Sequence, residues 1–380
     1  MMRAGRAIAA VILTALAVLG ATTRSVFPRA GSAPPLLLDG YRVVSAPRIL
    51  RFPRDHAAHP AYRTEWWYYT GRLAAGGHRF GYELTFFRQG MDTSWRASRS
   101  AWAPREIVLA HFAITDETGR RFRWTERAER SALGIAGADT SRYRVWIGDW
   151  SAALAADGRT HRLRAHDGDL AVALDLVPLR PPVVHGLGGV SRKGPAPEEA
   201  SCYVSITRLA SHGELDIGGR RYEVAGTSWM DHEFGTYPSR SRRTGWDWFG
   251  LRLDDGRDLM LYRLRLAGGG TEPASSGTLV GPGGAALHLP LSAWTLEETA
   301  RWRSPGSGAL YPSGWRLRVP GEGIDLTVRP TVADQELITS GSTGVTYWEG
   351  SARVEGTSGG RPVRGEGYVE LTGYAGAPEF

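Results

Sequence analysis

Asp231, His232 and Glu233 stand side by side in the segment GTSWMDHEFG, Gly226 to Gly235. Three titratable groups between Trp229 and Phe234 suit a catalytic acid and base, because a carboxylic acid in an apolar pocket keeps its proton near neutral pH and can donate it. They also suit a metal site, with His232 joined by Asp231 or Glu233 and with His111 of LAHFAITD as a distant partner. The third reading is structural: carboxylates that accept indole, hydroxyl or backbone hydrogen bonds, or that pair with arginines such as Arg88 or Arg263. Three further segments join carboxylates to large aromatics: EWWYYTG (Glu65 to Gly71), GWDWFG (Gly245 to Gly250) and YWEG (Tyr347 to Gly350).

Alternate residues of a strand share a face. Glu65, Trp67 and Tyr69 then lie together, as do Trp229, Asp231 and Glu233, with His232 on the opposite side. Asp247 and Phe249 oppose Trp246 and Trp248. The expected site is an aromatic cavity walled by Glu65, Trp67, Tyr69, Trp229, Trp246, Trp248, Tyr347, Trp348 and Glu349, suited to an elongated apolar ligand with one polar feature. Asp231 is the expected proton donor and Asp247 a second acid, while His232 or Glu233 tunes Asp231 or guides water. Aromatic faces stabilise a developing cation, so the set matches hydration of an isoprenoid-like C=C bond. Adjacent strand residues point apart, and neither paired cysteines nor HExxH spacing occurs, so no metal and no cofactor are expected. His59 and His185 are expected to hydrogen-bond loops. No serine nucleophile elbow is expected, and a P-loop and a GxGxxG loop are absent from the sequence.

The elements that must position these residues read as strands. Period-two patterns recur at 143–150, 170–179, 248–256, 258–266, 324–330 and 345–356, with Gly, Asp and Pro connectors between them. The 49 glycines and 14 tryptophans fit many turns around an aromatic-lined β interior. Only SAWTLEETARW, Ser292 to Trp302, offers a short helix, and it fits a loop nearly as well. TEWWYYTGRL followed by FGYELTFFR resembles GWDWFGLRL followed by LMLYRLRL. An all-β chain of two similar antiparallel barrels in tandem is therefore expected, since closure removes exposed edges. The expected division is a signal peptide at 1–21, a linker at 22–45, and domains at 46–235 and 236–380.

MMRAGR followed by the apolar run Ala7–Ala21 is the pattern of an export leader. Cleaved or retained as an anchor, it places the folded part outside the cytoplasm, in the periplasm or envelope. The single cysteine, Cys202, permits no internal disulfide and is expected as a small buried filler. Net charge is +7, from 46 Lys and Arg against 39 Asp and Glu, and removing Arg3 and Arg6 leaves +5. The basic residues are scattered, so no nucleic-acid partner is expected, and the excess serves solubility or weak attraction to an anionic membrane surface.

HPAYRTEWWYYTGRL, LAHFAITD, RPPVVHGLGGVSRKG, SWMDHEFG, GWDWFGLRLDDGRDLMLYRLR, YWEG and GYVELTGY together resemble the exported AttH-like proteins of the carotenoid 1,2-hydratase (hydroxyneurosporene synthase) superfamily. The resemblance runs from about His59 to Tyr374. It implies two lipocalin-like barrels of the calycin type and a hydrophobic isoprenoid or lipid-like ligand. It further implies either hydratase-type chemistry or a carrier role beside envelope ABC-transporter components. The label "secreted hydrolase" attached to such proteins supplies a third expectation.

Overall fold

A computed structural model describes residues 36–94, 98–103, 105–237 and 243–376. The leader at 1–21 and the first part of the linker lie outside the described residues. Twenty-five strands alternate with short turns, and the described residues hold only 3-10 turns besides. In chain order the strands are β1 (Leu37–Leu38), β2 (Tyr41–Arg42), β3 (Thr64–Ala75), β4 (His78–Gly90), β5 (Glu106–Asp116), β6 (Arg121–Arg130), β7 (Ala136–Ala138), β8 (Arg144–Ile147), β9 (Trp150–Leu154), β10 (His161–Asp167), β11 (Leu170–Pro178), β12 (Val183–Val184), β13 (Ser191–Arg192), β14 (Ala200–Ile217) and β15 (Arg220–Gly235). They continue as β16 (Arg243–Leu253), β17 (Asp258–Leu266), β18 (Ser276–Val280), β19 (Ala286–Pro290), β20 (Thr295–Arg303), β21 (Leu310–Val319), β22 (Ile324–Pro330), β23 (Glu336–Ile338), β24 (Thr346–Ser358) and β25 (Arg361–Thr372).

The first large sheet runs β6-β5-β4-β3-β15-β14-β11-β10-β9-β8-β7 and curls into a nearly closed barrel. Its open seam is bridged by side chains: Arg123 bonds Asp169, Thr125 donates to Asp167, and Arg127 donates to the carbonyl of His166. The second sheet runs β19-β18-β17-β16-β25-β24-β22-β21-β20 and forms a half-barrel. In each sheet the first long strand pairs with both the next and the last, β3 with β4 and β15, β16 with β17 and β25. The likeness of the two aromatic hairpins in the sequence therefore reflects equivalent places in two lipocalin-like barrels.

Alternation decides what each strand buries. Trp67, Tyr69, Tyr82, Leu84 and Phe86 fill the first barrel, and Phe249, Leu251, Trp315 and Trp348 fill the second. The opposite faces of the same strands are also buried, because the two barrels pack against each other through Tyr68, Tyr203, Trp229, Trp248, Tyr262 and Tyr368. Backbones approach closely there: a Cβ on Gly81 would lie 2.5 Å from the Tyr368 hydroxyl. Residues 36–45, expected as tether, belong in part to the folded body, since Tyr41, Val43 and Val44 are buried. Cys202 is buried beside Phe234 and Tyr62, as a filler.

Ser292–Trp302 is neither helix nor loop. Leu291–Ala293 makes one 3-10 turn, and the rest is the edge strand β20. A register shift around Ala300 and charges on an exposed edge blur its alternation, which is how edge strands avoid further pairing. The strand expected at 143–150 is two strands, β8 and β9, divided at Gly148, where φ is +57°.

Asp258 of the second barrel is fully buried and gripped from the first. Arg180 Nη1 donates to Oδ2 at 2.8 Å, Thr207 to Oδ2 at 2.7 Å and Arg208 Nε to Oδ1 at 2.7 Å. Asp258→Ala removes the acceptor of three bonds, two of them charged, and is expected to cost about 2–3 kcal/mol in urea unfolding. An unchanged unfolding midpoint would show that this grip does not hold the barrels together.

Candidate functional site

Strand parity separates the candidate residues into three places. Glu65, Trp67 and Tyr69 enter the first barrel, joined by His232 from the neighbouring strand β15. Trp229, Asp231, Glu233, Trp246, Trp248, Tyr347 and Glu349 face the seam between barrels. Asp247 and Trp348 lie inside the second barrel, where the Trp348 indole donates to the carbonyl of Ala333. One aromatic cavity holding all of them does not exist.

Asp247 is an ion-pair partner rather than a poised acid. Arg263 Nε donates to its Oδ2 at 2.7 Å, Arg265 bonds Oδ1, and the Tyr374 hydroxyl donates at 3.0 Å. Glu65 is similarly committed. Its carboxylate accepts from the backbone N–H of His59, from His59 Nδ1 at 2.9 Å, from His232 Nε2 at 2.8 Å and from Arg88 Nε at 3.0 Å. Burial alone would raise its pKa, but the Arg88 charge and the two histidine bonds hold it well below the usual carboxylate range. The structural reading of the sequence, with Arg88 and Arg263 as partners, describes these two carboxylates. His232, expected to tune Asp231, is turned away from it.

Asp231 differs. It is buried in the seam without a cationic partner of its own. The Tyr203 hydroxyl donates to Oδ2 at 2.6 Å, and the Trp229 indole to Oδ1 at 2.6 Å, with Ser205 as a third donor. Tyr203 in turn accepts from the Trp248 indole at 2.8 Å. Burial raises the pKa of Asp231 to about 7, against the lowering effect of these donors. Glu233 on the same face has a cation, Lys193 Nζ at 3.0 Å, and accepts from Tyr237.

Three more carboxylates line the seam: Glu349 and, unforeseen in the sequence, Glu83 and Glu370. Glu349 and Glu370 sit directly opposite each other in the β24–β25 ladder, an arrangement that is unfavourable for two charges. Tyr68 donates to Glu349 across the barrels, and Trp246 hydrogen-bonds Glu370. Burial raises Glu370 to about 7. Burial and the charge of Glu370 push Glu349 and Glu83 upward as well. One Glu83 oxygen, Oε2, is buried without a partner. Together the four groups are carboxylic acids that retain protons close to neutral pH, set among Tyr, Trp and Phe side chains. A signal for the missed pair does exist, since FGYELT and GYVELT place each glutamate within an aromatic, apolar strand.

The histidines at the seam are structural. His111 bonds Tyr347 at 2.7 Å and Ser342 at 2.8 Å, while His185 bonds Thr278 at 2.8 Å and Ser205 at 2.6 Å. Ser205 therefore touches both Asp231 and His185, but the carboxylate meets the serine and not the imidazole. That order is not the Ser–His–Asp relay of a hydrolase.

The AttH-like family model matches residues 43–374. The chain belongs to the AttH-like family. Among solved structures it is similar to an AttH from Nitrosomonas europaea, with 32% identity, a TM-score of 0.77, and coverage of 86% of this chain and 98% of that one. It also shares its fold with kievitone hydratase from Nectria haematococca, at 15% identity and a TM-score of 0.69, over 88% of this chain and 96% of that one. No protein with a curated description matches. In this AttH-like chain the seam acids thus occupy the junction of a two-barrel fold that is also the fold of a hydratase.

The buried groups set opposing pH dependences. Burial raises the four seam acids from about 4 when unfolded, so their stabilising contribution is complete below that value and is lost as pH rises through about 7 for Asp231 and Glu370 and about 8 for Glu83, with Glu349 also raised well above its ordinary value. Burial lowers His56 well below its usual value, His161 to about 4, and His111 and His185 to about 3. Their contribution is complete above about 6.5 and is lost as pH falls. The two sets offset each other between about 4 and 6.5, and only the acids act above. Stability in urea is therefore expected to drop between about pH 6.5 and 8, by up to ~1.4 kcal/mol per pH unit for each acid still protonated, the share of Asp231 and Glu370 ending near 7 and that of Glu83 near 8. A Glu83→Gln, Glu349→Gln double variant flattens that slope. A flat wild-type profile in this range would contradict the protonated seam.

Proposed function

We propose that this chain binds an unsaturated isoprenoid or lipid-like molecule between its barrels and adds water to one C=C bond. The carrying observation is Asp231, an acid with pKa raised to about 7, buried among Trp229, Tyr203 and Trp248. Family membership and the hydratase fold likeness support the reading.

In this scheme the Asp231 carboxyl transfers its proton to the less substituted alkene carbon, and the π pair becomes the new C–H bond. The cation left on the other carbon faces the rings of Trp229, Trp248 and Tyr68. Water attacks it, a C–O bond forms, and the water's surplus proton returns to the Asp231 carboxylate. Glu233, fixed by Lys193 and Tyr237, orients the water. Because the acids are closed over, the ligand enters as the seam opens. The leader pattern supports a setting outside the cytoplasm for this work, and the excess positive charge suits a passing association with an anionic membrane surface.

The test is incubation of the purified protein with unsaturated isoprenoid alcohols in oxygen-18 water, followed by mass spectrometry. The expected product carries one added water bearing the heavy oxygen. An isoprenoid that is bound and recovered unchanged would replace this reading with a carrier serving an envelope transporter. Release of an acid from an ester analogue would replace it with a hydrolase.

A further inference from the structure

His232 points away from Asp231, and for that reason it meets two other ligand-type side chains inside the first barrel. His59 Nδ1, Glu65 Oε1 and His232 Nε2 all lie within 4.8 Å of one another, and all three residues are buried. Two imidazoles and one carboxylate form a donor set common for zinc, which leaves a fourth tetrahedral position to water. From this geometry we infer that His59, Glu65 and His232 form a binding site for a first-row divalent cation, with Zn²⁺ the natural occupant.

The spacing is close to what the ion needs. Each ring nitrogen now sits 2.8–2.9 Å from Glu65 Oε1. Tetrahedral donors around zinc are about 3.3 Å apart, given bonds of about 2.0–2.1 Å. Each of these two gaps therefore opens by about half an ångström, while the two ring nitrogens, within 4.8 Å of each other, adjust to the same spacing. The surroundings are arranged for the change. Arg88 Nε holds the other carboxylate oxygen at 3.0 Å, so Glu65 presents Oε1 as a single ligand atom.

On binding, each imidazole moves its proton to the nitrogen facing away from the ion. For His59 that nitrogen is Nε2, 3.6 Å from the carboxylate of Asp55, and a carboxylate behind a ligating histidine raises its affinity. For His232 it is Nδ1, which has no hydrogen-bond partner, so no existing bond is broken. His59 retains some exposure, with a side chain 10% accessible, and marks the edge from which an ion enters. The charges of Glu65 and Asp55 offset the nearby Arg88.

The experiment uses chelator-stripped, dialysed whole protein titrated with Co²⁺ and then Zn²⁺. The wild type is expected to bind one equivalent of Co²⁺ with the visible absorption of a tetrahedral ion, and to lose that absorption as Zn²⁺ displaces it. His59→Ala, chosen because its side chain is the least enclosed of the three, is expected to bind at least ~10-fold more weakly. Far-ultraviolet circular dichroism confirms that the variant keeps its strands. His59→Gln serves as the second variant, with the same expected loss. A folded wild type that binds neither ion overturns the site. So does a His59→Ala chain that binds as well as the wild type, which would place the ion on surface groups such as His166 and Asp149.

Discussion

Asp231→Asn is expected to lose water addition by ~10²–10⁴-fold, the usual contribution of a positioned general acid, while still folding and retaining its ligand. The amide has nearly the shape of the carboxyl, so the pocket formed by Tyr203, Ser205 and Trp229 remains filled. It has no proton to give to an alkene carbon. The decisive comparison is turnover against bound ligand in the same preparation. Loss of both would mean that Asp231 shapes the seam, and loss of neither would remove it from the chemistry. Glu370→Gln separates the roles further. That group lies on the other barrel and its own pKa is raised by the charge of Asp231, and because such coupling is mutual its substitution should shift the pH profile more than the maximum rate.

Arg88→Met is expected to destabilise the fold by about 3–5 kcal/mol, because it leaves Glu65 charged and enclosed without its cation. The guanidinium is 1% exposed, meets Glu65 and Glu106, and donates to the carbonyls of His59 and Tyr62. Methionine keeps the volume but none of these bonds. Adding Glu65→Gln to Arg88→Met should recover part of the loss, since the uncompensated charge is then removed. Unfolding in urea measures both variants. A single variant within about 1 kcal/mol of the wild type would mean that the charge of Glu65 is balanced without Arg88.

These cases show which features are legible in a sequence. The period-two reading assigns Glu65 with Trp67 and Tyr69, and Asp231 with Trp229 and Glu233, to shared faces, and sets His232 opposite. Parity along one strand is local, so residue order suffices. Parity does not say which face enters a barrel and which meets a second barrel. That depends on how β3 and β15 pair and on what packs behind them, which is why residues expected around one cavity are divided between a barrel interior and a seam. Asp247 reads like Asp231 in sequence, a carboxylate beside tryptophans. Only the register of β16 on β17, which sets Arg263 directly across from it, makes it an ion-pair partner. Glu83 and Glu370 escape notice because each is a lone acid in an apolar strand, and their significance lies in meeting from different barrels. The edge strand β20 fails for a different reason, since charges on both of its faces hide the alternation.

Acids between the barrels are expected to keep their protons near neutral pH. Infrared difference spectroscopy between about pH 6 and 9 observes this directly, through the carbonyl stretch of a protonated carboxyl. The wild type is expected to show a band that loses part of its intensity near pH 7 and more near 8, and that weakens in Asp231→Asn and further with Glu370→Gln. A spectrum with only ionised carboxylates at about pH 6 would contradict it, and the seam would then be a packing surface instead of an acid site.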